Sequence, residues 1–369
     1  MKTIQWIISA LVAVVIIAAA VGGGVYFTRL TSIHSIRKLT DYENYNLYRM
    51  DIDYAYDLDR LIDRGITDNQ SMINAILAEA LPYLPIHMKA PNFGCSAFCT
   101  QGTDGHTLMG RNYDFKNDTS AMLVYCTPKD GYASVAFAAL DNINANTPDA
   151  SMAKKLATLT APFICLDGMN EKGVSITVLT LDSDPTYQQT GKPMIATTLA
   201  IRLVLDRAAT TAEAVELLSK YDMFASSGRD YHFYITDASG DGRVLEYDCN
   251  DPARPLTDTP SPSVTNTLVM YKGNVLPNQR NGVYGHGRER YDAIEEILDA
   301  NAGSIDREIA WQALQAASQA PNPQDVTSNT QWSILYDNTA LTAEAVIRRD
   351  WNTKTSYDLV SNVAVTDVG

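Results

Sequence analysis

Between Lys2 and Arg29 the chain carries no charged residue, and Ile7 to Val21 is almost purely aliphatic. Roughly 20 apolar residues at about 1.5 Å rise cross a hydrocarbon core, so residues 1–30 predict one transmembrane helix. No polar stripe interrupts the run, which argues against a buried helix of a soluble body. A cleavable signal peptide is the alternative, since Ala18-Ala19-Ala20 offers small residues before a cut. Such peptides usually have a shorter apolar stretch, about 7–15 residues, which favours a retained anchor. Residues 31–94 then turn polar and tyrosine-rich, with helical patches at Asp57–Arg64 and Asn69–Leu84, until Pro82, Pro85 and Pro91 break the pattern. This segment reads as propeptide-like.

From Cys95 the texture changes to short β-type runs separated by turn signals. His106–Arg111, Met122–Cys126, Tyr132–Ala138, Val174–Leu181 and His232–Thr236 all predict strands. The run Asp237-Ala-Ser-Gly-Asp-Gly242 is a turn into Arg243–Tyr247, which makes a hairpin. It lacks the downstream Glu of a calcium loop. Helices are predicted at Ala196–Ala208, at Thr211–Leu218 with Thr210 or Thr211 as cap, and at Arg288–Ala300. Hairpins with helices grouped between them predict an α+β layered fold. No repeat or linker follows Cys95, so 95–369 forms one catalytic domain.

Charge narrows the partners. The chain has 43 acidic and 29 basic residues, net −14 over 369 residues, which argues against nucleic acid because phosphate binding needs clustered cations. Lys2 favours a cytoplasmic N-terminus, although Arg29, Arg37 and Lys38 sit on the other flank; the body is expected outside the cytoplasm. Secretion after signal cleavage is the alternative. Five cysteines without a C-x-x-C, and five histidines without H-E-x-x-H, predict neither metal nor cofactor. The cysteines allow up to two disulfides beside one working thiol, or five thiols. Oligomeric state, a homo-oligomer included, is not readable.

The informative stretch is Phe93-Gly-Cys-Ser-Ala-Phe-Cys-Thr-Gln-Gly-Thr-Asp-Gly-His-Thr-Leu-Met-Gly-Arg-Asn-Tyr-Asp-Phe115. It reads as strand, turn at Gly102–Gly105 and returning strand, so Cys95 on the first arm is expected to face Arg111 and Asp114 on the second. A guanidinium beside a thiol stabilises the thiolate. Asp114 can accept from an amine or from Arg111. Scission after Gly94 would expose an α-amine on Cys95, whose ordinary pKa of about 8 suits a general base. Cys99 shares the strand face of Cys95 by period two but has no preceding Gly; packing or a disulfide is its expected role. His232 or His286 as partner in a papain-like pair is disfavoured, because no such signature surrounds Cys95.

With these residues the chain resembles the choloylglycine hydrolase and penicillin V acylase family of linear amide hydrolases, in the N-terminal-nucleophile superfamily. It is also similar to the related acid ceramidases and acylethanolamine amidases, precursors cut just before their cysteine. Cys95 followed by Gly110-Arg-Asn-Tyr-Asp114, the heptad Asp167-Gly-Met-Asn-Glu-Lys-Gly173, Thr265-Asn266 and Arg290-Tyr291 occur in the family's order. Tyr231-His-Phe-Tyr-Ile-Thr-Asp237 and Gln331-Trp-Ser333 extend the likeness toward the C-terminus. The resemblance implies a four-layer αββα sandwich behind the N-terminal transmembrane helix, with autocatalytic cleavage between Gly94 and Cys95. It implies Cys95 as nucleophile, Asn266 as oxyanion donor, and Arg111, Asp114 and Arg290 as orienting groups, Arg288 competing with Arg290. The heptad is expected to be a structural turn. Bile-salt enzymes place a second asparagine ten positions after the heptad's; here that position is Thr180, a weaker donor, which argues against bile salts as substrate. The expected activity is hydrolysis of a small-molecule N-acyl amide. Acyl transfer on the same frame and a non-catalytic anchored binder of amphipathic amides are the competing functions.

Overall fold

The computed structural model describes residues 23–82, 94–274, 286–325 and 328–368. Two antiparallel-rich sheets face each other. The first runs β1 (Arg37–Lys38), β2 (Leu47–Ile52), β5 (Ala121–Cys126), β6 (Ser134–Ala139), β7 (Cys165–Asn170), β8 (Ser175–Leu181), β11 (Asp230–Thr236), β12 (Arg243–Tyr247) and β13 (Leu256–Pro260). The second runs β14 (Ser263–Val264), β3 (Gly94–Gln101), β4 (Thr107–Asp114), β15 (Thr330–Asp337), β16 (Thr342–Ile347), β17 (Thr353–Asp358) and β18 (Val363–Val368). A short parallel pair, β9 (Met194–Ala196) and β10 (Asp222–Phe224), stands apart.

Helices cover both outer faces. α1 (23–34), α2 (Leu58–Ile62), α3 (Asn69–Ala80) and α4 (Met152–Ala157) precede α5 (Thr197–Arg207) and α6 (Thr211–Leu218), of which α5 packs on β7 and β8. α7 (Gly287–Ala300) and α8 (Arg307–Ala317) pack on β3, β4 and β15. The order is therefore helix, sheet, sheet, helix, and the α+β expectation holds. Thr210 caps α6 by accepting from the Glu213 amide, as its position before an amphipathic run requires. The 237–242 turn joins β11 to β12, and Asp237 accepts from the Ser239 amide at 2.9 Å and from the Thr211 amide at 2.8 Å.

Core aromatic rings close the space between the sheets. Tyr113 of β4 stacks on Trp332 of β15 with centroids 4.1 Å apart, and Phe137 of β6 meets Trp332 from the opposite sheet at 6.4 Å. All three rings are buried.

The segment before Cys95 belongs to the same core. β2 lies parallel to β5, Leu47 opposite Ala121 through Ile52 opposite Cys126. Its alternation was not readable as a strand, because Arg49 and Asp51 occupy one face of it. That face is covered: Arg49 is buried against the Tyr357 ring and bonds Asn362, at the far end of the second sheet. Tyr42 Oη donates to Asp350 at 2.8 Å, and Thr366 Oγ1 donates to the Leu39 carbonyl at 2.9 Å. Arg29 of α1 donates to the Glu79 and Ala80 carbonyls and ties α1 to the end of α3. The predicted transmembrane stretch falls mostly on residues 1–22, outside the described residues; among the described residues no helix is long and apolar enough to cross a membrane.

Because β2 shares one core with the sheets, Met50→Ala is expected to destabilise the whole body by about 2–5 kcal/mol. Urea unfolding followed by tryptophan fluorescence checks this, since Trp311, Trp332 and Trp351 all follow residue 95. One cooperative transition at lower midpoint is expected. An unmoved midpoint would mean that β2 rides on the fold without supporting it.

Candidate active site

The β3–β4 hairpin turns through Gly102–Gly105, where Gly105 has φ +80° and leaves the chain free to reverse. Its register sets Gly94 opposite Asp114, Cys95 opposite Tyr113 and Ala97 opposite Arg111. Cross-strand partners share a face and successive residues alternate. Cys95, Tyr113 and Arg111 thus look toward the first sheet, whereas Asp114 looks toward the helices. The expectation that Arg111 and Asp114 together face the thiol is corrected: a spacing of three on a strand puts them on opposite faces.

Each charge finds its own partner. Arg111 Nε lies 2.7 Å from Asp167 Oδ2 and donates to Thr177 Oγ1 at 2.8 Å. Asp167 also accepts from Tyr336 Oη at 2.6 Å and from Trp332 Nε1 at 3.3 Å. Both Nη atoms of Arg111 are buried without a hydrogen-bond partner among the described residues. Asp114, expected to accept from an amine or from Arg111, accepts from Arg290 Nη1 at 2.7 Å and from Thr330 Oγ1 at 2.6 Å. Arg290 is buried while Arg288 is exposed, so the structure brings Arg290, not Arg288, to this cluster.

Asn266 completes it. Its Oδ1 accepts from Arg290 Nη2 and, at 3.3 Å, from the backbone nitrogen of Cys95. Its Nδ2 donates to the Thr180 carbonyl at 2.7 Å, so one N–H remains for another acceptor. Thr180 therefore enters through its backbone oxygen. β14 pairs Ser263 with Phe98 and Val264 with Ala97, which carries Asn266 to the edge of β3. The start of α7 presses against it: a Cβ on Gly287 would lie 2.9 Å from Thr267 Cγ2 and 3.3 Å from the Asn266 carbonyl carbon. Three residues later the same helix delivers Arg290.

Electrostatics in the uncut chain run against a reactive thiol. Burial pushes Cys95 up to about 12, Asp114 adds to the rise, and Arg111 and then Arg290 pull it back only in part. The guanidinium acts in the expected direction; loss of water outweighs it. Burial likewise raises the Asp114 and Asp167 carboxyls, against the pull of Arg290 and Arg111 respectively.

Other candidates fall elsewhere. His232 Nδ1 lies 2.9 Å from Glu246 Oε1, and His286 is exposed beside Asp325, so neither serves the thiol. Cys99 is an unpaired buried thiol, which removes the disulfide reading and leaves packing. Asp167 was placed in a turn by its heptad; it lies in β7, and the turn is confined to Glu171–Gly173, where Asn170 Oδ1 accepts the Lys172 and Val174 amides. Thr330 had no signal in the sequence. A cleft of about 310 Å³ opens beside the cluster, lined by Thr267, Val269, Lys272, Gly273, Arg288, Tyr291 and Asp292.

The same fold occurs in solved structures. Two variants of the conjugated bile acid hydrolase from Clostridium perfringens align over 74% of this chain and 97% of theirs, at 16% identity and TM-scores of 0.51 and 0.53. Penicillin V acylase from Agrobacterium tumefaciens aligns over 72% of this chain and 86% of its own, at 18% identity and TM-score 0.50. At such identity these matches speak for the fold alone. The sequence family described as linear amide C–N hydrolases, choloylglycine hydrolase family, matches residues 95–251, starting at the cysteine around which the buried charges are arranged. Over residues 95–251, then, the chain matches the choloylglycine hydrolase family of linear amide C–N hydrolases, and it is an amidase acting on linear amides.

Proposed function

We propose that scission between Gly94 and Cys95 releases Cys95 as an N-terminal nucleophile that hydrolyses a small N-acyl amide. The observation carrying this reading is the buried line Asp114–Arg290–Asn266 ending on the Cys95 nitrogen. A peptide nitrogen gains little from two side chains dedicated to holding it. An α-amine at the same place gains a fixed lone pair, and the two nearby guanidiniums favour its neutral form, able to take the thiol proton. The sulfur attacks the amide carbonyl, the α-amine passes its proton to the leaving amine, and water releases the acyl group. The second N–H of Asn266 and the Nη donors of Arg111 are the groups available to the developing oxyanion, a donor there being worth about 2.7–4 kcal/mol. Thr180 supports Asn266 rather than the substrate. Asp167 and Thr330 act as positioning residues for Arg111 and Asp114.

The N-terminal piece keeps its place in this reading. After scission β2 would still pair with β5, so fragments 1–94 and 95–369 stay together without a disulfide. The uncharged run from Thr3 to Thr28 then tethers both to a membrane, body outside the cytoplasm, unless a signal peptidase removes it.

N-terminal sequencing of the larger fragment is expected to read Cys95, with both fragments co-eluting on size exclusion under reducing conditions. A turning-over preparation with residue 94 still joined to 95 would exclude the α-amine mechanism. Cys95→Ala is expected to lower amide turnover at least a thousandfold with the fold intact. Reactivity should also divide by processing state. Pulse labelling with iodoacetamide, read by mass spectrometry on peptides that span 94–95 or begin at Cys95, tests it. A thiol near 12 has roughly a thousandth of the thiolate of one near 9 at neutral pH, so the spanning peptide should label slowly and still accelerate at pH 10. A plateau below pH 9 in that peptide would contradict the burial argument.

A further inference from the structure

On the far side of the cleft lies a buried acid that the proposed chemistry does not use. β11 and β12 pair antiparallel with Phe233 opposite Leu245, which sets His232 opposite Glu246. Glu246 has no exposed surface. Its Oε1 lies 2.9 Å from His232 Nδ1 and accepts the Val269 amide at 2.7 Å; its Oε2 accepts the Met270 amide at 2.7 Å. A buried carboxyl is tolerated when its acceptors are filled, and here two of the donors are successive backbone N–H groups of one turn. That turn, Val269–Tyr271, follows Asn266 and ends in Lys272 at φ +54° and Gly273 at φ +70°. Tyr271 Oη adds a bond to Asp248 at 2.6 Å, just past the end of β12.

The front of this turn is a wall of the cleft. Thr267, Val269, Lys272 and Gly273 form one side, and Arg288, Tyr291 and Asp292 of α7 form the other. The cleft begins one residue beyond Asn266 and one beyond Arg290. Val269 and Tyr291 give its lining apolar surface, and Lys272 and Arg288 carry long hydrocarbon stems that can lie along an aliphatic chain. Asn266 itself has separate anchors: the Thr180 carbonyl, Arg290, and the Thr265 Oγ1 bond to the Gly287 carbonyl at 2.6 Å. Slackening the turn would therefore loosen the wall and leave the reacting groups in place.

We propose that Glu246 is a positioning residue that sets the 267–273 wall, and that the cleft so shaped receives the aliphatic acyl chain of the substrate. This rests on the amidase reading above. N-acetyl, N-hexanoyl and N-decanoyl p-nitroanilides serve as probes on the processed full chain. In the unaltered protein KM should fall as the acyl chain lengthens. Glu246→Gln replaces one acceptor with an NH2 group that confronts a backbone donor. It is expected to raise KM for the decanoyl probe about tenfold with kcat moving less than twofold, to flatten the chain-length dependence, and to leave scission after Gly94 complete. Glu246→Asp, whose carboxyl falls one methylene short, should not restore KM. If Glu246→Gln does not fold, Val269→Trp fills the cleft directly and must raise the decanoyl KM. Equal losses of kcat on all three probes, or an unchanged chain-length dependence in both variants, would overturn the role of Glu246 and of the cleft. Absence of turnover of every probe by the unaltered, processed protein would instead sink the amidase reading itself, and the proposal with it.

Discussion

Arg290 brings a full positive charge into the interior at the point where three separate pieces of chain meet. A guanidinium there is tolerable only if its donors are met, and Asp114 from β4 and Asn266 from the segment after β14 meet them. The bonds fix more than the arginine. They set the carbonyl end of the Asn266 amide, whose oxygen then has one remaining direction, toward the nitrogen of Cys95. The tight approach of α7 through Gly287 supports this, since a Cβ there would crowd Thr267 Cγ2 and the Asn266 backbone. Hairpin, edge strand and helix are thereby locked into one arrangement about a single nitrogen atom.

The register of β3 and β4 divides the remaining labour. On the face toward the first sheet, Arg111 stands with the thiol and is steered by Asp167, itself gripped by Tyr336 and Trp332. On the opposite face, Asp114 and Arg290 address the nitrogen. One face thus bears on the sulfur and the other on the Cys95 nitrogen. The uncut chain has the whole apparatus assembled, yet burial holds the sulfur protonated.

Much of this was legible in the sequence, for reasons that differ by residue. The hairpin announced itself because Gly102 and Gly105 bound a reversal between two β-type runs, and helix α6 because Thr210 precedes an amphipathic run. Cys95, Arg111, Asp114, Asn266 and Arg290 were legible as members of spaced motifs, and the structure gathers all five. What the spacing could not convey was which face each occupies. Turning both Arg111 and Asp114 toward the thiol took proximity along the chain for a shared face, and the alternation of a strand overrode it. Asp167 was hidden by its own heptad, whose glycines speak for a turn although the turn begins four residues later. β2 was hidden by Arg49 and Asp51, charged residues that make a strand look like a surface until Arg49 is seen buried against the Tyr357 ring and Asn362.

The place of β2 bears on how such a site can be kept latent. A leader that merely blocked the cysteine could be an independent cap, released when cut. This one supplies a strand in register with β5, a buried arginine reaching β17, and hydrogen bonds to the β16–β18 end of the second sheet. Removing it would leave the edge of β5 unpaired and strip Tyr357 and Asn362 of Arg49, at a cost far above the gain in freedom from one broken peptide bond. If the bond before Cys95 is cut as proposed, the contacts that hold Asn266, Arg290 and Arg111 need not change, because none of them runs through that bond.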